Sequence, residues 1–115
     1  MKVAISADRA GAGAEVDPRF GRAACFVVFD LSSHEMTTAD NTINQSAAHG
    51  AGIQAAKTVA DAGAQAVITG NVGPKAFDAL CAAGIRVYRC HGGSVDEAIA
   101  QYRKGSLEPV EAANT

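Results

Sequence analysis

A short unit written twice limits what this chain can fold into more than any other feature. Ala62-Gly63, an apolar run, a glycine-bearing turn and a helical pattern recur from Ala83-Gly84, 21 residues later. Each unit reads as a strand followed by a helix, the arrangement that builds a sheet with helices laid on its faces. Two such units are too few for a solenoid. The product expected is therefore one α/β domain with a mixed sheet.

The remaining elements fit round that unit. Lys2 to Ala7 reads as a first strand and Cys25-Phe26-Val27-Val28-Phe29 as a second, with a long glycine-bearing loop between them. Asp30-Leu31-Ser32-Ser33-His34 is a polar turn into a third strand over 35–39, so the second and third strands should form an antiparallel hairpin. After residue 48 the period changes: Ile53, Ala56, Val59 and Ala60 mark one face of a helix that Gly63 ends. Ala66 to Thr69 is a buried strand. Pro74 opens a second helix, with Phe77, Leu80 and Cys81 on its apolar face, and Gly84 stops it. Residues 85–89 alternate as a fifth strand. Ser94-Val95-Asp96-Glu97 is a capping box for a third helix that carries Val95, Ala98, Ile99 and Tyr102 on one face and stops at Gly105. The expectation is five strands and three helices in one domain over 1–106, with a frayed tail over 107–115.

Composition narrows the function classes. The 115 residues are 48% apolar but only 5% aromatic, with no Trp, so the core must be Val, Ile, Leu and closely packed Ala. The formal charge is −2 and Lys and Arg form no run longer than the pair Arg103-Lys104, which argues against nucleic acid as the main partner. No run approaches the ~20 apolar residues of a membrane span, and Met1 to Ser6 leads directly into Asp8 and Arg9, so neither a membrane nor a secretory leader is indicated and the cytoplasm is expected. Cys25, Cys81 and Cys90 are odd in number and lack C-x-x-C spacing, which points away from a disulfide framework or structural zinc.

If the second strand alone runs against the other four, the loops over 8–24, 40–50, 69–74 and 90–94 gather at one edge. That edge holds the carboxyl ends of the parallel strands, where open α/β sheets bind ligands. Three glycine turns fall there: Asp17-Pro18-Arg19-Phe20-Gly21-Arg22, His49-Gly50-Ala51-Gly52 and Gly70-Asn71-Val72-Gly73-Pro74. Glycine lets backbone approach a ligand closely, and a helix starting just afterwards aims unpaired N–H groups at it, so the pocket should favour an anion. Gly70 to Gly73 lacks the lysine and hydroxyl spacing of a phosphate-binding loop and is weak as a nucleotide motif. The hairpin with His34 belongs to the opposite edge.

These three turns, in this order and followed by Ala83-Gly84-Ile85-Arg86-Val87-Tyr88, resemble the dinitrogenase iron-molybdenum cofactor biosynthesis family over nearly the whole chain. The resemblance implies a ribonuclease H-like mixed sheet. It also implies a non-catalytic accessory protein that carries an iron-molybdenum cofactor or an iron–sulfur cluster precursor, with cluster-assembly or nitrogenase-type proteins as partners. Nuclease activity is not implied, because the acidic quartet that would hold two metal ions is not visible.

A carrier of such a polyanion needs a soft or imidazole ligand, positive groups and backbone donors. His49, just ahead of a helix, is the leading ligand candidate; an ordinary reading gives its imidazole a backbone carbonyl as partner. Cys90 and His91 leave a strand at the same edge and are the further metal candidates, although strand-end cysteines commonly pack as hydrophobes. Cys25 is read mainly as core. Arg19 and Arg22 flank Phe20 in a loop with too little apolar content to be core; either they bind the anion, or Asp17 pairs with an arginine to fix the turn, and both can hold together. The candidate cofactor-binding set is Arg19, Phe20, Gly21, Arg22, His49, Gly50, Gly52, Gly70, Asn71 and Gly73. Two other classes stay open: a regulatory interaction module that binds a small anion or a partner ATPase, and a small hydrolase using His49 as base.

Overall fold

The computed structural model describes residues 1–45 and 50–113. Strands β1 (Lys2–Ala7), β2 (Cys25–Asp30) and β3 (Met36–Asp40) form an antiparallel meander, with Lys2 opposite Asp30 and Phe29 opposite Met36. β4 (Ala64–Thr69) pairs with the other side of β1 in parallel, β5 (Arg86–Arg89) continues parallel to β4, and a two-residue strand β6 (Glu108–Pro109) closes the edge antiparallel to β5. The sheet order is β3-β2-β1-β4-β5-β6. The helices are α1 (Thr42–Gln45), α2 (Ala51–Asp61), α3 (Pro74–Ala82) and α4 (Val95–Arg103).

Successive strand residues point to opposite faces, and here helices cover both. Val3, Ile5, Val27 and Ile68 face α4, packing with Val95, Ala98 and Ile99. Ala4, Phe26, Val28 and Val67 face α2 and α3, packing with Ala55, Val59 and Leu80. That is why β1, β2 and β4 read as nearly continuous apolar runs. The central strands are accordingly sealed from water.

Four details correct the sequence reading. Among the described residues the sheet has six strands, not five, because residues expected to fray contribute β6, and Val110 N–H donates to the Val87 carbonyl at 2.8 Å. The same residues form four helices, not three: Asn41 buries its side chain and turns the chain into the single turn α1. The buried face of α2 is Ala51, Ala55, Ala56 and Val59, whereas Ile53 is 44% exposed. Close approach to α3 selects alanine over isoleucine there, a distinction hydrophobic periodicity does not make. On α3, Leu80 is buried but Phe77 is only half-buried and Cys81 exposed, because Ala76 and Leu80, four residues apart, take the sheet-facing line.

Other expectations hold. Gly63 and Gly84 follow α2 and α3 with φ of +86° and +75°. The box at Ser94 forms, with Glu97 N–H donating to Ser94 Oγ and Ser94 N–H to Glu97 Oε1. His34 sits in the hairpin remote from the loop edge, stacked on Phe29 at 5.9 Å.

Candidate functional site

The loop after β1 is stitched to the ends of two strands. Asp17 N–H donates to the Ser6 carbonyl at 2.8 Å, and the buried Ser6 hydroxyl lies 2.6 Å from the Asp17 carbonyl and 2.8 Å from the hydroxyl of Thr69. Two residues on, the loop runs briefly parallel to the segment following β4: Asn71 N–H donates to the Pro18 carbonyl at 2.6 Å, and Phe20 N–H to the Asn71 carbonyl at 3.1 Å. A Cβ on Gly70 would lie 2.7 Å from Pro18 Cα, so only glycine allows these backbones to come so close. The first and third glycine turns are thus one structure.

Phe20 corrects the reading of this loop as too polar for core. Its ring is 1% exposed and meets Phe26 of β2 at 5.2 Å, anchoring the segment that carries both arginines. Behind it, buried Asn41 donates its side-chain amide to the carbonyls of Gly21 at 3.2 Å and Ala23 at 2.8 Å, and accepts from Asn44 at 2.8 Å. Neither role showed in the sequence. A single aromatic between two arginines has no periodicity, and an asparagine before a short helix reads as an ordinary turn residue.

The second turn joins by close packing. A Cβ on Gly21 would approach the Gly52 nitrogen to 3.0 Å, and one on Gly52 would meet the Ala76 Cβ at 2.9 Å. Three chain segments therefore meet backbone to backbone and surround a concavity of about 600 Å³. Arg19, Phe20, Gly21 and Arg22 form one wall, Gly50, Ala51, Gly52 and Ile53 the second, and Asn71 with Gly73 to Ala76 the third. Ala51, Ile53, Pro74, Lys75 and Ala76 are absent from the sequence-based set, although residues in the first turn of a helix behind a glycine turn are the signal that would find them.

Both α2 and α3 begin in this wall, behind Gly50 and Gly73, and among the described residues no side chain caps either one. Their first-turn N–H groups have no partner in the helical ladder and carry the positive end of the helix dipole. α4 differs: its box satisfies its own start, and Val95 and Asp96 N–H groups are taken by the carbonyls of Ala14 and Ala12. Arg19, Arg22 and Lys75 add positive charge, and no Asp or Glu is among the lining residues described. Arg22 Nη1 donates to the Gln45 carbonyl at 3.1 Å. Asp17 is buried beside the wall and pairs with Arg19 at 3.3 Å; its hydrogen bond and then its charge raise the guanidinium pKa above its ordinary value.

The other candidates divide. His49 lies outside the described residues. Cys90 and His91 line a separate depression with Arg89 and Glu108; Cys90 is buried, its thiol 3.2 Å from the Gly92 carbonyl. Cys25 is in the core, 3.8 Å from the Ala7 carbonyl, and burial followed by the charges of Asp40 and Asp8 pushes its thiol pKa up, away from the thiolate that binds metal. Among the described residues no three His, Cys, Asp or Glu side chains converge as a metal site. The concavity offers hydrogen-bond donors and cations on an apolar floor.

Residues 1–105 match the family model described as dinitrogenase iron-molybdenum cofactor. The chain belongs to the dinitrogenase iron-molybdenum cofactor family. Its fold is similar to that of the orange protein from Desulfovibrio gigas, solved in its apo form, with a TM-score of 0.96 and 43% identity over 99% of this chain and 96% of that one. It is also similar to a NifB-like protein from Thermotoga, at a TM-score of 0.87 and 36% identity over 99% and 97% of the two chains. An uncharacterized protein of Methanocaldococcus jannaschii is 32% identical over 113 residues, 96% of this chain and 92% of its own length. Membership ties this member to iron-molybdenum cofactor biology as a small accessory protein, and among its described residues no helix is long and apolar enough to cross a membrane.

Proposed function

We propose that this protein carries an anionic metallocluster, an iron-molybdenum cofactor or an iron–sulfur precursor, in the concavity at the carboxyl ends of β1 and β4, and does no chemistry on it. The observation that supports the reading is the convergence of two helix N-termini, neither capped by a side chain among the described residues, with Arg19, Arg22 and Lys75 on one wall system. Such a site holds an anion by charge and backbone donors, which lets cargo leave without breaking several metal–ligand bonds. A hydrolase would need a nucleophile and a base in reach of one another, and the described walls offer cations and N–H groups instead.

His49 completes the proposal as the imidazole ligand, since it directly precedes Gly50 in the chain. Cys90 and His91, in their separate depression, are left outside the site. Cluster-assembly or nitrogenase-type proteins are the proposed partners and the cytoplasm the proposed location. The ribonuclease H-like description is a further part of the reading, supported by the order β3-β2-β1-β4-β5 with β2 reversed.

Anaerobic purification followed by cluster reconstitution tests the proposal. The expected result is broad visible sulfur-to-metal absorption that stays with the protein through gel filtration and is lost when Arg19, Arg22 and Lys75 are all replaced by Gln. A protein that remains colourless after reconstitution, or a triple variant that retains as much cluster as the wild type, overturns it.

A further inference from the structure

We infer that Asp17 is an affinity-setting residue of the concavity, a built-in carboxylate that aims Arg19 at cargo and at the same time holds down its attraction for it. The inference rests on the concavity being an anion site. Asp17 Oδ1 accepts from the Arg19 backbone N–H at 2.9 Å and from Nε at 3.3 Å, while Oδ2 accepts from Nη2 at 3.3 Å. This is a side-on pairing. It occupies the Nε hydrogen and one Nη2 hydrogen, and leaves both Nη1 hydrogens and the second Nη2 hydrogen, the end of the fork that suits an anion's paired acceptors.

Asp17 is held in place when that end is used, because the Arg19 backbone N–H stays bonded to its carboxylate at 2.9 Å. Its carboxylate is 8% exposed against 62% for the Arg19 side chain, and its backbone is fixed on both sides by Ser6, itself locked to Thr69 in the core. The carboxylate therefore stays on one side of the Arg19 guanidinium when an anion takes the other. The charge opposes the ligand, whereas the hydrogen bonds orient its partner. Removing the charge but keeping an acceptor separates the two effects, because the amide oxygen of an asparagine at this position can still take the Arg19 backbone N–H. A carrier must let go of what it binds, and a resident competitor at Arg19 serves that end.

The test uses a synthetic cubane iron–sulfur dianion in which every iron carries its own thiolate, so that binding reports charge and hydrogen bonding alone. Equilibrium dialysis under argon compares wild type, Asp17→Asn, Arg19→Gln and the double variant at low and high salt. Asp17→Asn should bind about five- to tenfold more tightly at low salt, and the gain should shrink as salt is raised. It should vanish in the Arg19→Gln background. Asp17→Ser, whose hydroxyl can also accept the Arg19 N–H, should behave as Asp17→Asn does and guards against misfolding of one variant. Wild-type binding with equal or weaker binding by both Asp17 variants overturns the proposal and leaves the concavity reading standing. Failure of every protein to bind the dianion removes the concavity reading, and the role of Asp17 falls with it.

Discussion

Gly52 and Ala76 hold the first turns of α2 and α3 so close that a Cβ at position 52 would lie 2.9 Å from the Ala76 Cβ. One methyl is all the space allows. Gly52→Ala should therefore destabilise the fold by about 1–3 kcal/mol, overpacking outweighing the smaller gain in helix propensity. Ala76→Gly in the same chain should restore much of the loss, and urea unfolding of the single and double variants measures it.

Gly70→Ala should be worse tolerated than Gly52→Ala. The new Cβ would face Pro18 Cα at 2.7 Å and the Pro18 carbonyl at 2.8 Å, which are backbone atoms held by the bond from Asn71 N–H. A loss of about 3 kcal/mol or more is expected. Gly13→Ala is the control, since nothing lies within 4 Å of its Cβ position and its φ is not positive; it should stay within about 0.5 kcal/mol.

The gathering of the glycine turns was legible in the sequence because strand direction follows from the repeated strand–helix unit and the hairpin, and direction assigns each loop to an edge. What the turns do there was only half legible. Glycine was read as freedom to adopt unusual φ or to approach a ligand, yet Gly21, Gly52 and Gly70 are needed for segments to approach one another. Sequence carries no record of a neighbour's distance. β6 and α1 escaped for a simpler reason: two and four residues are too short to show a period. Cys90 and His91 share the expected edge with the arginines, but one edge of a sheet holds more than one depression.

Phe20 and Phe77 exchange the weights that the sequence gives them. Phe20→Ala empties a fully buried site against Phe26 and should cost about 3–5 kcal/mol, with the arginine wall disordered as a result. Phe77→Ala, at a half-buried position, should cost about half as much. Thermal melts rank the two; a larger loss at Phe77 would contradict the packing described for α3.

The start of α4 should give an acid signature. The Ser94 backbone N–H, and then its hydroxyl, hold the Glu97 carboxyl below its ordinary value of 4.5. A carboxylate whose folded pKa is lowered stabilises the fold above the unfolded value, and that help is lost as pH falls through the folded one. Asp30 and Asp40 are held down in the same way by the backbone N–H groups of Ser32 and Thr42. Glu97→Gln should flatten the fall in melting temperature below about pH 4.5, whereas Ser94→Ala should cost about 1 kcal/mol at neutral pH by loss of the cap. Melts over a pH series for the two variants check both.

Arg19, Gly52 and Lys75 belong to segments that meet only after β1 and β4 have aligned side by side, a pairing between residues far apart in the chain. A nascent or partly unfolded chain has no cradle to offer, so whatever binds there binds the finished fold alone and stabilises it by mass action. If the protein is the carrier proposed above, loading would double as an inspection step: cargo would go only to molecules whose sheet is complete, and an idle molecule would be the easier one for a protease to clear.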